Sequence, residues 1–403
     1  DSAGEPRRRG AGAGRAPSGP KGPAVSAPRP RVAMVSSHFL PYSQTFVHDE
    51  VRHHERYEVE VFAARRVNPE LFPFEPVWVG GPLFEVTRVS PRLRRRLRRG
   101  GFALVHAHFG TGALYGVSLA RAADLPLVVT FHGHDVSLLQ SGERLLPRNW
   151  PYALLAPAML RRLTLGLCAS VELLELVHEA GVPRERLRLH HIGVDTTRFA
   201  PGPKDPRVPT IAMVGRFVRK KGLLYGLRAF AKVAARHPGA RLEIVGDGPL
   251  RPEIEEARAQ SGVADRITLH GVLPQARVAE LLAGASLLLA PSVTTADGDR
   301  ESGLMVAKEA SLAGAVPIGT WHGGLPEIIE DGVTGRLVPE RDVEALAAAL
   351  DSLLSDDALR SRMAQAAAES VRLRFDVRVR GRALEAAYDD AVAAGVPHGR
   401  RAG

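Results

Sequence analysis

Short apolar runs alternate with helix-periodic stretches along this chain, and the whole alternation occurs twice. A first set of runs lies at Val32–Ser36, Glu58–Ala63, Leu104–His106 and Leu127–Phe131. A second lies at Thr210–Val214, Arg241–Val245, Ile267–His270, Leu287–Ala290, Val316–Gly319 and Arg336–Val338. Strands that are apolar nearly throughout belong to parallel sheets covered on both faces. The stretches between them carry helical periodicity, as in Leu223 to His237, which stops at Pro238. The pattern predicts an α/β chain of two doubly wound parallel-sheet domains, joined near Pro201-Gly202-Pro203-Lys204-Asp205-Pro206. At 403 residues the chain is long for one core and comfortable for two.

Composition sets limits on this reading. Hydrophobic residues at 45% and charged residues at 24% are those of a soluble globular protein. No apolar run approaches the roughly 20 residues of a membrane span. The first thirty residues are rich in Pro, Gly and Ala around Arg7-Arg8-Arg9 and lack the apolar core of a secretory signal, so residues 1–30 read as a disordered basic tail. The single cysteine, Cys168, excludes an internal disulfide framework and fits a reducing compartment. Its apolar run, Leu165 to Ala169, makes it a small core residue.

Chemistry concentrates in the second half. Glu301 and Glu309 stand eight positions apart, the first at the turn Ser302-Gly303, the second on an Ala- and Leu-rich helical pattern. Carboxylates are strong acceptors suited to the vicinal hydroxyls of a sugar or a ribose. A basic turn, Gly215-Arg216-Phe217-Val218-Arg219-Lys220-Lys221-Gly222, follows a predicted buried strand. Arg216 and Lys221 therefore sit at a strand's carboxyl end, where open α/β sheets bind ligands, and together suit a pyrophosphate. Arg219 and Lys220 read as exposed loop cations. A Gly-rich segment, Thr320-Trp321-His322-Gly323-Gly324-Leu325-Pro326-Glu327, opens a further helix.

Four motifs stand in order: Gly-Arg-x4-Lys-Gly, Gly-Asp-Gly-Pro (Gly246 to Pro249), Glu-x7-Glu and Gly-Gly-x-x-Glu. The set resembles the retaining glycosyltransferases of family four, over about Arg31 to Gly395. The segments Ser37 to Phe46 and His106-Ala107-His108-Phe109-Gly110 resemble the colanic-acid and amylovoran type of exopolysaccharide transferases. The resemblance implies the GT-B architecture, two Rossmann-like domains facing across a cleft. On it, residues 31–202 bind the acceptor and 207–375 the nucleotide-sugar, while 376–396 form a helix that crosses back to the first domain. It further implies transfer of a hexose-type sugar from a nucleotide-diphosphate sugar to a saccharide or lipid-linked acceptor, with retention and without a metal or other cofactor.

Residue roles follow from the same resemblance. His132, within Phe131-His132-Gly133-His134-Asp135, corresponds to a histidine close to the transferred sugar. Glu301 takes sugar hydroxyls, Glu309 the nucleotide ribose, and Arg216 and Lys221 the diphosphate; with His132, these last two and Glu301 are the catalytic candidates. Gly246, Gly248, Val272, Ser302, Gly303, Leu304 and Met305 complete the donor site, and Ser43, Gln44, Thr45 and His108 the acceptor-side loop. One departure stands out. Relatives commonly have Gly-Leu/Phe-Pro after the first Glu, where this chain has Ser302-Gly303-Leu304-Met305.

Other features leave alternatives open. His106, His108, His132, His134 and Asp135 are metal-ligand types, but they end predicted strands facing the cleft of a fold that needs no metal, so none is expected. Asp297 and Asp299 read as a hydrophilic turn. Residues 1–200 hold 27 Lys+Arg against 18 Asp+Glu, the remainder 27 against 26. Much of the excess lies in Arg92 to Arg99, which reads either as a solvated helix face or as a dock for an anionic membrane surface. Trp150 to Leu160, followed by Arg161-Arg162, reads as a buried helix or a second interfacial patch. No nucleic-acid-binding module is recognisable, so no nucleic-acid partner is expected. The expected location is cytoplasmic, peripheral at the inner face of the membrane. A nucleotide-sugar epimerase and a catalytically silent carbohydrate- or nucleotide-binding module are the rival readings; a new glycoside, an epimer or no product separates the three.

Overall fold

The computed structural model describes residues 28–41, 44–140 and 142–397. The basic tail, apart from residues 28–30, and Ser43 lie outside the described residues. Seven strands form the first sheet: β1 (Arg31–Phe39), β2 (Glu58–Arg66), β3 (Val77–Val79), β4 (Phe102–His108), β5 (Leu127–Phe131), β6 (Leu165–Cys168) and β7 (Leu187–Leu189). They are all parallel, in the order β3-β2-β1-β4-β5-β6-β7. Six more form the second: β8 (Thr210–Val214), β9 (Arg241–Val245), β10 (Ile267–Gly271), β11 (Leu287–Ala290), β12 (Val316–Thr320) and β13 (Arg336–Val338), in the order β10-β9-β8-β11-β12-β13. The two-domain α/β architecture expected from the alternation is the one observed. Each sheet reverses its winding once, beside β1 and β8, and at those switch points the loops part to leave a crevice for ligand.

Burial explains the apolar composition of the strands. β5, β11 and β12 are buried at every residue, because helices cover both faces. One core lies on each face of the second sheet, and the first sheet has its own. Cys168 is a buried core thiol, and burial pushes its pKa up.

The last helix, Val377–Ala394, returns to the first sheet. Leu384, Tyr388 and Ala391 pack with Val32, Leu104, Val128 and Leu165. Glu385 is fully buried, yet its Oε1 accepts backbone N–H bonds from Glu55, Arg56 and Tyr57 at 2.8, 2.8 and 3.1 Å. A buried carboxylate is tolerated only with such partners. Tyr57 adds an O–H bond to Asp389 at 2.7 Å.

The helix Pro91–Arg99 shows how a basic run folds. Ser90 caps its first turn, Pro91 occupies the first position, and Leu93 and Leu97, four apart, bury one face. Arg96 binds Glu60, Arg94 donates to Ser118 Oγ at 2.9 Å, and Arg98 donates to the carbonyl of Ala122. The solvated-face reading is corrected for Arg94 and Arg96, which reach inward, while Arg92, Arg95 and Arg99 are exposed. Trp150–Arg162 is likewise half of what a buried helix predicts: Tyr152, Ala156, Met159 and Leu160 are buried, whereas Trp150, Leu154 and Leu155 are exposed. No helix among the described residues is long and apolar enough to cross a membrane.

Candidate active site

Both switch points open towards one region, and the second domain lines its side with charge. After β8 the chain enters the basic turn. Arg216 is exposed there, and its guanidinium has no ion pair among the described residues. Lys221 is half-buried, with Nζ 2.9 Å from Glu301 Oε2. Lys220, expected as an exposed loop cation, is buried instead, 3.0 Å from Asp299 and 3.6 Å from Glu301. The physical reason is the tight helical turn Arg219–Lys221, fastened beneath the end of β11 by the N–H of Val293 on the carbonyl of Lys220 at 2.9 Å. Three adjacent cations on such a turn point three ways, and Arg219 alone of them stays exposed.

The Gly-Asp-Gly-Pro loop braces that turn. Gly246 has φ +136°, and a Cβ there would stand 1.9 Å from the carbonyl oxygen of Gly215. The N–H of Phe217 donates to the carbonyl of Asp247 at 2.8 Å, and that of Leu250 to Phe217 at 3.0 Å. Gly248 lies against the Phe217 backbone, and Val272, just beyond β10, is largely exposed at the same sheet end.

Glu301 is held from behind. Its N–H donates to His322 Nε2 at 2.9 Å, and His322 Nδ1 donates to Glu340 at 2.7 Å, which fixes the histidine tautomer. Gly323, at φ +52°, permits this approach, since a Cβ there would lie 1.8 Å from the Glu301 carbonyl oxygen. Burial alone would raise the Glu301 carboxyl, but Lys221, Lys220 and His322 bring it down to about 2. Asp297 and Asp299 do form a polar turn, closed by the N–H of Thr295 on the carbonyl of Asp299 at 3.0 Å. Ser302 and Leu304 are buried, Gly303 abuts Ile192, and Met305 opens the helix Met305–Leu312. Glu309, on that helix, is pushed up to about 7, chiefly by burial and then by Asp49.

The first domain lines its side with rings. His108, at the end of β4, is buried, and its Nδ1 is 3.2 Å from Nε2 of His132. His132 lies between Phe46 and Phe109, at ring-centroid separations of 5.0 and 4.3 Å. Burial keeps it neutral, well below the usual histidine range. Asp135 pins its backbone, accepting N–H bonds from Gly110, Gly133 and His132 at 2.7, 3.0 and 3.3 Å. Gln44 and Thr45 begin the helix Thr45–Arg52, which carries Phe46 and Glu50 on one face.

The two sides meet. Ser302 Oγ donates to the carbonyl of His132, Arg300 pairs with Glu172, and Lys308 Nζ reaches the carbonyl of Ile192 at 2.7 Å. Glu327, the last residue of Gly-Gly-x-x-Glu, accepts from the N–H of Val171 at 2.8 Å and pairs with His191 at 2.6 Å. So Ser302 joins the Glu301–Lys221 pair to His132, whereas Glu309 lies within the field of Asp49 and Arg198.

Glu50, His106 and His108 present ligand-type atoms within 4.8 Å of one another. A three-ligand metal site would need a free nitrogen on His106, but Nδ1 meets Tyr388 OH at 2.7 Å and Nε2 meets Thr130 Oγ1 at 2.8 Å. The donor set does not fit a metal without breaking that pair of bonds. Glu50, Lys220, His322, Glu340 and Tyr388 escaped the sequence reading. Glu50 had one visible signal, its place four residues after Phe46 on an N-terminal helix.

Comparison with known proteins gives the following. Residues 194–370 match the family model for glycosyl transferases group 1, and residues 44–198 that for glycosyltransferase family 4. WcaL of Escherichia coli (strain K12), named as a colanic acid biosynthesis glycosyltransferase, is 33% identical over 261 residues. That match covers 62% of this chain and 62% of WcaL, so the chain spans less than two thirds of that relative. The alpha-D-kanosaminyltransferase of Streptomyces kanamyceticus is 30% identical over 333 residues, 77% of this chain and 82% of that protein. Among solved structures, Anabaena HepE in complex with UDP and glucose has a TM-score of 0.73, covering 90% of this chain and 100% of HepE. At 19% identity this is a likeness of fold, the GT-B arrangement of two facing parallel-sheet domains.

Proposed function

Because the chain belongs to the family 4, group 1 glycosyltransferases, we propose that it moves a hexose-type sugar from a nucleotide-diphosphate sugar to a saccharide or lipid-linked acceptor. The reaction retains anomeric configuration, needs no metal at the diphosphate, and serves polysaccharide or glycoconjugate synthesis. The observation that carries this reading is the junction of the Glu301–Lys221 pair with His132 through Ser302.

The mechanism follows from charge. Cleaving a sugar–phosphate bond builds positive charge at the anomeric carbon and negative charge on the departing diphosphate. Arg216, open and unpaired, meets the diphosphate first, and Lys221 turns to it from Glu301. N–H groups of Gly303, Leu304 and Met305 at the helix start add donors. Freed of Lys221, Glu301 accepts from sugar hydroxyls, and Glu309 accepts from the ribose. The acceptor hydroxyl attacks from the face the diphosphate leaves, and its proton passes to the leaving phosphate. His132 orients that hydroxyl. Ser302, which replaces the glycine common in relatives, uses its hydroxyl hydrogen on the His132 carbonyl, so it ties the domains rather than reading the sugar. HepE, which shares the fold, was solved with UDP and glucose, which supports a nucleotide and a sugar in this cleft.

Calorimetry with UDP-, GDP- and ADP-sugars, with and without EDTA, tests the reading, followed by mass spectrometry for slow donor hydrolysis. Binding of one donor in EDTA with release of its diphosphate is expected; an epimerised sugar, or no binding at all, overturns it. For a lipid-linked acceptor we further propose a cytoplasmic protein docked on an anionic membrane. The support is the exposed pair Leu83 and Val86 near Arg88, Arg92 and Arg95. Loss of sedimentation with phosphatidylglycerol vesicles on Arg92→Glu with Arg95→Glu is the expected result.

A further inference from the structure

A buried chain of polar groups runs behind His132 and has no part in the reaction as described so far. Glu50 Oε1 lies 3.0 Å from His108 Nε2, and His108 Nδ1 lies 3.2 Å from His132 Nε2. The rings of His108 and His132 are stacked, 5.4 Å apart with 18° between planes. The Glu50 contact is at ion-pair distance but off the hydrogen-bond axis, and neither of its two atoms has a hydrogen-bond partner among the described residues. His132 Nδ1 is also buried and without a partner there. Phe46, one helical turn before Glu50, packs on the His132 ring, so a single helix positions both the carboxylate and the ring.

We propose that Glu50 and His108 are positioning residues that fix the tautomer of His132, leaving its Nδ1 as a lone-pair acceptor for the acceptor hydroxyl. This rests on the reading of His132 given above. A carboxylate can only accept, so His108 Nε2 must carry the hydrogen that faces it. In the proposed arrangement His108 Nδ1 holds a lone pair and takes the Nε2–H of His132, 3.2 Å away. His132 Nδ1 is left unprotonated, and each donor in the chain points the same way, towards the negative charge. A ligand hydroxyl donating to Nδ1 extends that chain by one link and gains electron density on its oxygen. No proton crosses to Glu50, since the acceptor proton leaves on the phosphate.

The surroundings keep the chain in this state. Facing it are His106 on β4, His54 after the first helix, His190 after β7, and Tyr388 and Glu385 on the last helix. Burial lowers His106 and His132 and brings His190 to about 4, so these are neutral; Tyr388 is raised and also neutral. Burial would raise Glu50, but the adjacent His108, 3.0 Å away, outweighs it and keeps it ionised.

The tautomer is read directly by nitrogen-15 NMR of histidine-labelled full-length protein, with the His132 signals assigned by their absence from His132→Ala. The expected pattern is a protonated Nε2 and a bare Nδ1, lost in Glu50→Gln and partly restored in Glu50→Asp. In acceptor-dependent transfer, Glu50→Gln lowers kcat by about 10- to 100-fold with donor KM and acceptor-free donor hydrolysis unchanged. A protonated Nδ1 in the wild type, unchanged transfer in Glu50→Gln, or one bound zinc per chain by elemental analysis would overturn it. If the wild type transfers no sugar yet shows the expected tautomer, the function reading fails, and with it the contact to an acceptor hydroxyl, while the positioning of His132 by Glu50 and His108 stands.

Discussion

The two halves of the cleft solve the same problem, holding polar groups ready for a ligand, by opposite means. The second domain keeps its groups charged and near water: Arg216 exposed, Lys221 half-buried, Glu301 ionised by two lysines. The first keeps its rings neutral and dry: His106 and His132 lowered by burial, Tyr388 packed on His106 from the last helix. One half can exchange its ion pairs for those of the proposed diphosphate. The other buries its one carboxylate beside His108, behind the rings, and is proposed to work by fixed hydrogen-bond direction. The donor side should therefore respond to salt and charge reversal, and the acceptor side to loss of packing.

The largest expected effect tests the dry half. Glu385→Ala leaves three backbone N–H groups without their acceptor, that of Tyr57 in the interior, at a cost of about 3 kcal/mol in urea unfolding. Nucleoside diphosphate affinity should stay within about twofold, because the donor half lies in the other domain. A parallel loss of nucleotide binding would break the separation. Next comes Lys221→Met, which removes the cation paired with Glu301 and proposed to meet the diphosphate. Affinity for a nucleoside diphosphate should fall about 30-fold, roughly 2 kcal/mol, and its salt dependence should weaken. Unchanged affinity in a titration at low and high salt would remove Lys221 from the diphosphate site. Glu301→Gln is expected to cut transfer at least about tenfold with modest change in nucleotide affinity, the loss of one charge-assisted hydrogen bond. Near-normal turnover would take Glu301 away from the sugar.

The same contrast decides how much could be read from sequence. The geometry of the charged half was legible because its parts are contiguous: a glycine that admits a close approach and the charge beside it lie within a few residues, as in Gly215 to Gly222. Lys220 was misread because sequence shows that three cations adjoin, not which way a tight turn aims each one. The dry half was legible only at the ends of its strands, in His108 and His132. Glu50 meets them because β1 and β4 are neighbours at the switch point, a long-range fact that no local spacing carries. The strands show the same division. β5, β8, β9, β11 and β13 have the predicted bounds, while the edge strands β3 and β7 went unseen; β7 is exposed at two of its three residues and β3 is nowhere fully buried, so neither is a buried apolar run.

The smallest effect is the most specific to the charged half. Glu309 carries a carboxyl raised to about 7, so near neutral pH it is divided between an acid and a carboxylate. Only the carboxylate accepts from both ribose hydroxyls. Nucleoside diphosphate affinity should therefore rise by up to about tenfold between pH 6 and pH 8, as the ionised fraction goes from about a tenth to about nine tenths. Stability of the free protein should move the other way. A carboxyl raised in the fold binds more protons folded than unfolded between about 4.5 and 7, so its contribution is present at the acid side and is lost as pH rises through that window. Glu309→Gln should flatten both curves. Lys308, brought down to about 7 by burial, adds an opposite slope to stability above that pH but none to a ribose contact, since its Nζ is committed to the Ile192 carbonyl. An affinity curve that keeps its rise in Glu309→Gln would assign it to another group and leave the ribose without its proposed acceptor.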